Sequence, residues 1–230
     1  MPCPSIGRVW AYLDDLSACI VSNNTTEPFV TSDDPVVLTN RFYFQRLNSN
    51  AFGIANSGAL VLTPLAPQLY FLLWDSDCYS IPARSGPILR INNIHDVQAL
   101  NGLQYQRAAS NIYVSDDKHA KHVALACEAL GERSPPFRLY TMVEDGSDGE
   151  HGQRFKAVEP EVAKQSGSFM VLTQPNYPKP LVWPSFLKWR FKIRSHNDGS
   201  AAGHVRLGHP ALARRKGRAP LGIKRLPRAR

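Results

Sequence analysis

Phe29-Val-Thr-Ser-Asp33-Asp34-Pro35-Val-Val-Leu38 is the stretch on which the reading of this chain turns. Phe29-Val-Thr31 and Val36-Val-Leu-Thr39 are rich in β-branched side chains, the composition of extended strands. Ser32-Asp33-Asp34-Pro35 between them is turn vocabulary: short polar side chains that bond nearby backbone N–H groups, then a proline that fixes φ. The segment reads as strand, carboxylate-rich turn, strand.

Outward from it the pattern is first β and then helical. Leu16–Val21 is a short apolar strand, and the turn residues of Asn23–Pro28 mark a loop, as does the polar Asn48–Gly58. Leu60-Val-Leu-Thr63 and Leu69-Tyr-Phe-Leu-Leu-Trp74 are unbroken apolar runs, which predicts central, buried strands joined through Pro64-Leu-Ala-Pro67. Val97, Leu100, Tyr105, Ala108, Ala109 and Ile112 then recur at helical spacing, with Asp96 as the expected cap and Gly102 as a weak point. A second helix is expected from an N-cap at Asp116, with Ala120, Val123, Ala124, Cys127 and Leu130 in one stripe and Gly131 as its stop. Ser134-Pro-Pro136 is a break. Phe137–Val143, Arg154–Val158 and Ser168–Leu172 follow as short strands around a loop at Glu144–Gly152. Trp183–Ile193 is aromatic and basic and reads as a terminal strand or helix.

The expected fold class is α/β or α+β: a small mixed sheet with two following helices, then short strands and a disordered basic tail. Three parts are expected: an α/β domain over 1–130, a β-rich segment over 131–194, and the tail over 195–230. The 230 residues suffice for one good-sized domain with an appendage.

The net charge of +8 is not spread evenly. From Ser195 onward the cations are Arg206, Arg214, Arg215, Lys216, Arg218, Lys224, Arg225, Arg228 and Arg230, against Asp198 alone, so residues 1–194 sum to zero. That tail has few large apolar side chains to offset the entropy of ordering. It reads either as a solvated extension without a role, such as an altered reading frame produces, or as a weak nucleic-acid contact through residues 195–230 that neutralises phosphates. It holds no aromatic residue to stack on bases.

Cys3, Cys19, Cys78 and Cys127 are scattered without metal-ligand spacing, and read as reduced, mostly buried thiols. Met1–Gly7 lacks the pattern of a signal peptide, and Leu60–Trp74 is too short to span a bilayer. A cytoplasmic protein with no membrane association is the expectation.

Asp33 and Asp34 are the candidate metal-binding and catalytic residues, because carboxylates at strand ends often hold hard cations such as Mg²⁺. The turn chemistry of Ser, Asp and Pro accounts for the same residues without a metal. His119 and His122 occupy neighbouring positions of the second helix, but on its polar flank beside Lys118 and Lys121, which disfavour another cation. His95 reads as a capping or packing group, and His196, His204 and His209 fall in the expected tail without fixed geometry. Nucleophile elbows, phosphate loops, H-E-x-x-H and G-x-G-x-x-G are all missing from the sequence.

Three segments together carry a resemblance. Phe29-Val-Thr-Ser-Asp-Asp-Pro-Val36 resembles the F-I-T-S-D-N-P-V signature of domain-of-unknown-function family 4238. Pro64-Leu-Ala-Pro67 is similar to that family's P-L-S-P element, and Leu100–Tyr113 to its following helix. The match covers roughly residues 8–130. The family has no established activity, so the resemblance implies no catalytic residue and no cofactor. Members carry a helical region with an H-x-x-P-x-x-Y-L element well before the T-S-D motif. That element is missing here, so the resemblance implies a truncated chain. The leading expectation is an uncharacterised protein without catalysis of its own. Two alternatives stand beside it: a Mg²⁺-dependent phosphodiesterase or nuclease using Asp33 and Asp34, and a nucleic-acid-binding module acting through the basic tail.

Overall fold

The computed structural model describes residues 13–130, 137–148, 152–197, 199 and 203–209. The chain forms two compact units, one of Met1–Arg133 with Tyr177–Arg230 and one of Ser134–Asn176. Cys3, the stop at Gly131, the break at Ser134–Pro136 and the cations from Arg214 onward lie outside the described residues.

The first unit is built on a five-stranded sheet. Its strands are β1 (Ser17–Asn23), β3 (Val37–Asn40), β4 (Ala59–Ala66), β5 (Leu69–Trp74) and β7 (Ile88–Ile91). They lie in the order β3-β4-β5-β1-β7. β4 and β5 form an antiparallel hairpin with a bulge between Pro64 and Ala66, so β4 runs through most of the expected connection. β1 pairs antiparallel with β5 and parallel with β7, which makes the sheet mixed. Burial alternates: Tyr70, Leu72 and Trp74 are buried while Phe71 and Leu73 are half-buried. The apolar runs are therefore covered fully on one face and partly on the other.

α1 (Ile94–Arg107) follows β7 and joins Val97, Leu100 and Leu103 to the core of Val21, Leu60, Leu72 and Leu89. Its cap is Asn93, whose side chain accepts from the His95 N–H at 3.1 Å, and not Asp96. Asp96 is buried in the first turn and accepts from the backbone N–H and hydroxyl of Ser185. A carboxylate there suits the helix dipole, but its hydrogen bonds tie α1 to the distant aromatic segment. β8 (Ile112–Tyr113) comes next, then a 3₁₀ turn (Asp117–His119) capped by Asp116 and α2 (Ala120–Ala129). Of the expected stripe on α2 only Val123 is buried, packing with Val30 and Tyr105.

Phe29–Leu38 is not a hairpin. β2 (Thr31–Ser32) pairs with β8, whereas β3 pairs with β4 in the main sheet. The turn at Asp33–Val36 passes the chain between two sheets instead of returning it on itself.

The second unit is a three-stranded antiparallel sheet of β9 (Phe137–Asp148), β10 (Gly152–Val158) and β11 (Met170–Pro175), in the order β10-β9-β11. β9 and β10 extend into the stretch expected to be a loop, and the short helix α3 (Pro160–Gln165) precedes β11.

Tyr177 begins a return to the first unit. β12 (Lys188–Trp189) pairs with β6 (Tyr79–Ser80), and β13 (His196–Asn197) pairs with β14 (His204–Val205). Trp183–Ile193 is neither a long strand nor a helix; it is an irregular strap in which Phe186 and Leu187 are buried. Folded structure continues beyond Ser195. The His204 carbonyl accepts from the Ser57 N–H at 2.9 Å and the Asn56 side chain at 3.0 Å. Arg206 is 1% exposed and pairs with Asp15 at 3.0 Å. The expectation of no fixed geometry for His204 and His209 fails, since both are buried. Their anchoring is polar, so a count of large apolar residues could not reveal it. Among the described residues no helix is long and apolar enough to cross a membrane.

Candidate functional site

One edge of α1 holds the carboxylate-rich segment. Asn101 accepts from the Val30 N–H and donates to the Pro28 carbonyl, both at 3.0 Å. One turn on, Gln104 accepts from the Ser32 hydroxyl at 2.9 Å and donates to the Pro35 carbonyl at 2.9 Å. After another turn, Arg107 pairs with Asp34 at 2.6 Å. The three side chains are spaced by three, so they descend one side of the helix and grip successive residues of the extended segment. The backbone N–H groups of Ala109, Ser110 and Asn111 then converge on the Asp33 carboxylate at 2.8, 2.8 and 3.0 Å.

Both carboxylates are thus committed to protein partners. Partial desolvation raises the Asp33 pKa, but the backbone N–H bonds outweigh it and hold the group below its ordinary value. A cation at Asp33 would compete with three N–H groups, and one at Asp34 with a guanidinium. Among the described residues no cluster of three or more His, Cys, Asp or Glu side chains could hold a metal ion. His122 is exposed and lies 3.9 Å from Glu27, His119 is half-buried, and His95 is exposed beside Gln98.

The three segments that carry the resemblance meet at an open groove of about 320 Å³, lined by Val30, Thr31, Leu65, Pro67 and Tyr113 among others. Its lining has no charged side chain. Elsewhere the Ser195 hydroxyl lies 2.7 Å from His204 Nδ1. Both residues are buried, and desolvation lowers the His204 pKa, which fits a packed pair and not an exposed nucleophile. Asp75 is also buried. Desolvation raises its pKa although it accepts from the Gly58 and Asp77 N–H groups, and those bonds make it a brace for the Gly58 turn.

A different arrangement is half-buried, with two guanidiniums and two indoles each partly open to solvent. Arg41, two residues before a π-helical turn (Tyr43–Leu47), and Arg46 within it stack over the Trp189 ring at 4.9 and 5.0 Å. Arg41 also lies 5.7 Å from the Trp183 ring and donates to Gln45 and to the Leu187 carbonyl, both at 2.8 Å. Its pKa is pulled down by desolvation first, with Tyr79 opposing and Arg46 adding to the shift. Two guanidiniums are therefore fixed near each other. Among the described residues neither forms an ion pair, and neither do Lys179, Lys188, Arg190 or Lys192.

The sequence carried a signal for this face. Residues 35–74 contain Arg41 and Arg46 and no acid, and residues 177–197 contain Lys179, Lys188, Arg190, Lys192 and Arg194 and no acid. The fold brings these two acid-free stretches together through Trp183 and Trp189. Of these seven cations only Arg194 is neutralised among the described residues, by Asp77. A zero charge over 1–194 conceals this segregation.

The family model described as a protein of unknown function, DUF4238, matches residues 1–118. No curated protein and no solved structure matches the chain.

Proposed function

The chain belongs to the DUF4238 family of proteins of unknown function, and we propose that its first unit is a binding module for a phosphodiester strand. The observation that carries this reading is the pair Arg41 and Arg46, stacked on one indole without a carboxylate partner among the described residues. Stacking on an aromatic face pre-orders both side chains; it leaves the edge of Arg46 to donate to phosphate oxygens, while Arg41, whose guanidinium already donates to Gln45 and the Leu187 carbonyl, adds charge and holds the platform. Exposed Lys179, Lys188, Arg190 and Lys192 extend the charge along the strap, as a ligand with repeated phosphates requires. Asp33 and Asp34 serve the fold in this reading.

The test is fluorescence anisotropy of the full chain with a labelled single-stranded oligonucleotide across a salt series. Arg46→Gln and Lys188→Gln are each expected to weaken binding several-fold and to flatten the salt slope by about 0.7 for each phosphate interaction removed. An Arg214→Gln/Arg215→Gln variant serves as the control for the tail. Loss of binding in that control, with Arg46→Gln unchanged, would return the activity to the tail. Equal binding to polyglutamate would replace nucleic acid with an acidic peptide. Stabilisation by Mg²⁺ or Mn²⁺ that disappears in Asp33→Ala would restore the hydrolase reading.

A further inference from the structure

We infer that the second unit is a self-association module, pairing β11 of one chain with β11 of a second copy across a two-fold axis. β9 has both neighbours, but β11 has only β9, so its outer edge presents unpaired N–H and C=O groups among the described residues. Natural sheets usually guard such an edge with a charge, a bulge or a covering element. Ser166–Asn176 has no charged residue, and the pairing of β11 with β9 runs without a register shift from Met170 to Pro175.

The side chains reinforce the edge. Phe169, Met170, Val171 and Leu172 are 51%, 45%, 52% and 48% exposed. Successive strand residues point to opposite faces, so apolar surface lies open on both sides of the strand. Apolar side chains left open on both faces beside an unpaired edge mark a contact surface.

The occupant is a second copy because the edge is self-complementary. Two β11 strands running antiparallel bring no like charges together and extend two three-stranded sheets into one of six strands. The same contact covers Val171 on one face and Leu172 on the other in both chains. The opposite edge could not do this. β10 has a register shift between Gln153 and Phe155 and exposes Arg154 there, so a bulge and a cation guard that edge, while Lys156 is paired with Asp145. A two-fold contact uses the same edge on both copies, so it closes after two chains.

Sedimentation velocity of the full chain over low to high micromolar concentration tests this. The wild type is expected to shift from monomer to dimer and to go no further. Val171→Lys and Leu172→Lys place a charge on either face of the edge at exposed positions, and either should hold the chain as a monomer with an unchanged circular dichroism spectrum. A wild type that stays monomeric overturns the inference, as does a dimer that both variants leave intact, or an open series of larger species.

Discussion

β5 and β11 are both six-residue strands, Leu69-Tyr-Phe-Leu-Leu-Trp74 and Met170-Val-Leu-Thr-Gln-Pro175, and their environments differ completely. β5 lies between β4 and β1 and buries Tyr70, Leu72 and Trp74. β11 lies at an edge and buries none of its residues. β11 is apolar only in its first half, Met170-Val-Leu172, yet those residues match the leucines of β5 in kind and differ from them in position in the sheet. In the first unit a helix, a strap and buried polar groups cover the sheet, whereas the second unit has one short helix and a 43-residue span in which to do so. A unit of that size cannot enclose much of its own apolar surface. The first unit is thus organised to be stable by itself, and the second to be completed by a contact.

The largest expected break in that contrast is at Gly58. Its φ of 80° belongs to the left-handed region, and an added Cβ would collide with Phe42 Cβ and approach Asn40 Oδ1 to 2.7 Å. Gly58→Ala should cost on the order of 4 kcal/mol, combining overpacking with backbone strain. Its chemical denaturation midpoint should collapse; near-wild-type stability would show that the turn is not the brace described. Paired leucines come next. Leu72→Ala should cost about 2–5 kcal/mol as a buried deletion. Leu172→Ala should stay within about 0.5 kcal/mol when unfolding is followed at low protein concentration. Equal destabilisation of the two would erase the distinction between the sheets.

Asn101→Ala is expected to cost about 2–3 kcal/mol, because the Val30 N–H and Pro28 carbonyl lose their buried partner. Conservative replacement by Asp should restore only the half that accepts from Val30. The smallest effect is at the exposed Asp33. Its folded pKa is lowered, so its contribution is present above the unfolded value of about 3.9 and is lost as pH falls toward the folded value. The Tm difference between wild type and Asp33→Asn should therefore shrink below about pH 4, and a difference independent of pH would remove the role of its charge.

Several elements were legible along the chain. β1, β4, β5 and α1 follow from local periodicity, because their apolar residues recur at strand or helix spacing. The cap of α1 was misplaced by three residues, since Asn93 and Asp96 are both plausible N-cap types and only geometry separates them. The carboxylate pair was legible as a turn, but its partners were not. Arg107 and the amides of 109–111 lie more than seventy residues away in sequence.

By itself the sequence determined the element types in the first half, the family signature, and the concentration of formal charge beyond Ser195. Those properties are carried by neighbouring residues, through backbone propensity and side-chain spacing. Tertiary structure alone decided that Asp33–Val36 bridges two sheets, that His204 and Arg206 are buried, and that two acid-free stretches meet at Trp183 and Trp189. Each of these depends on polar or cation–π contacts between distant segments, and such contacts impose no periodicity on the chain. β11 makes the same point for apolar residues: hydrophobicity announces a strand, but only strand order decides whether that strand has a neighbour.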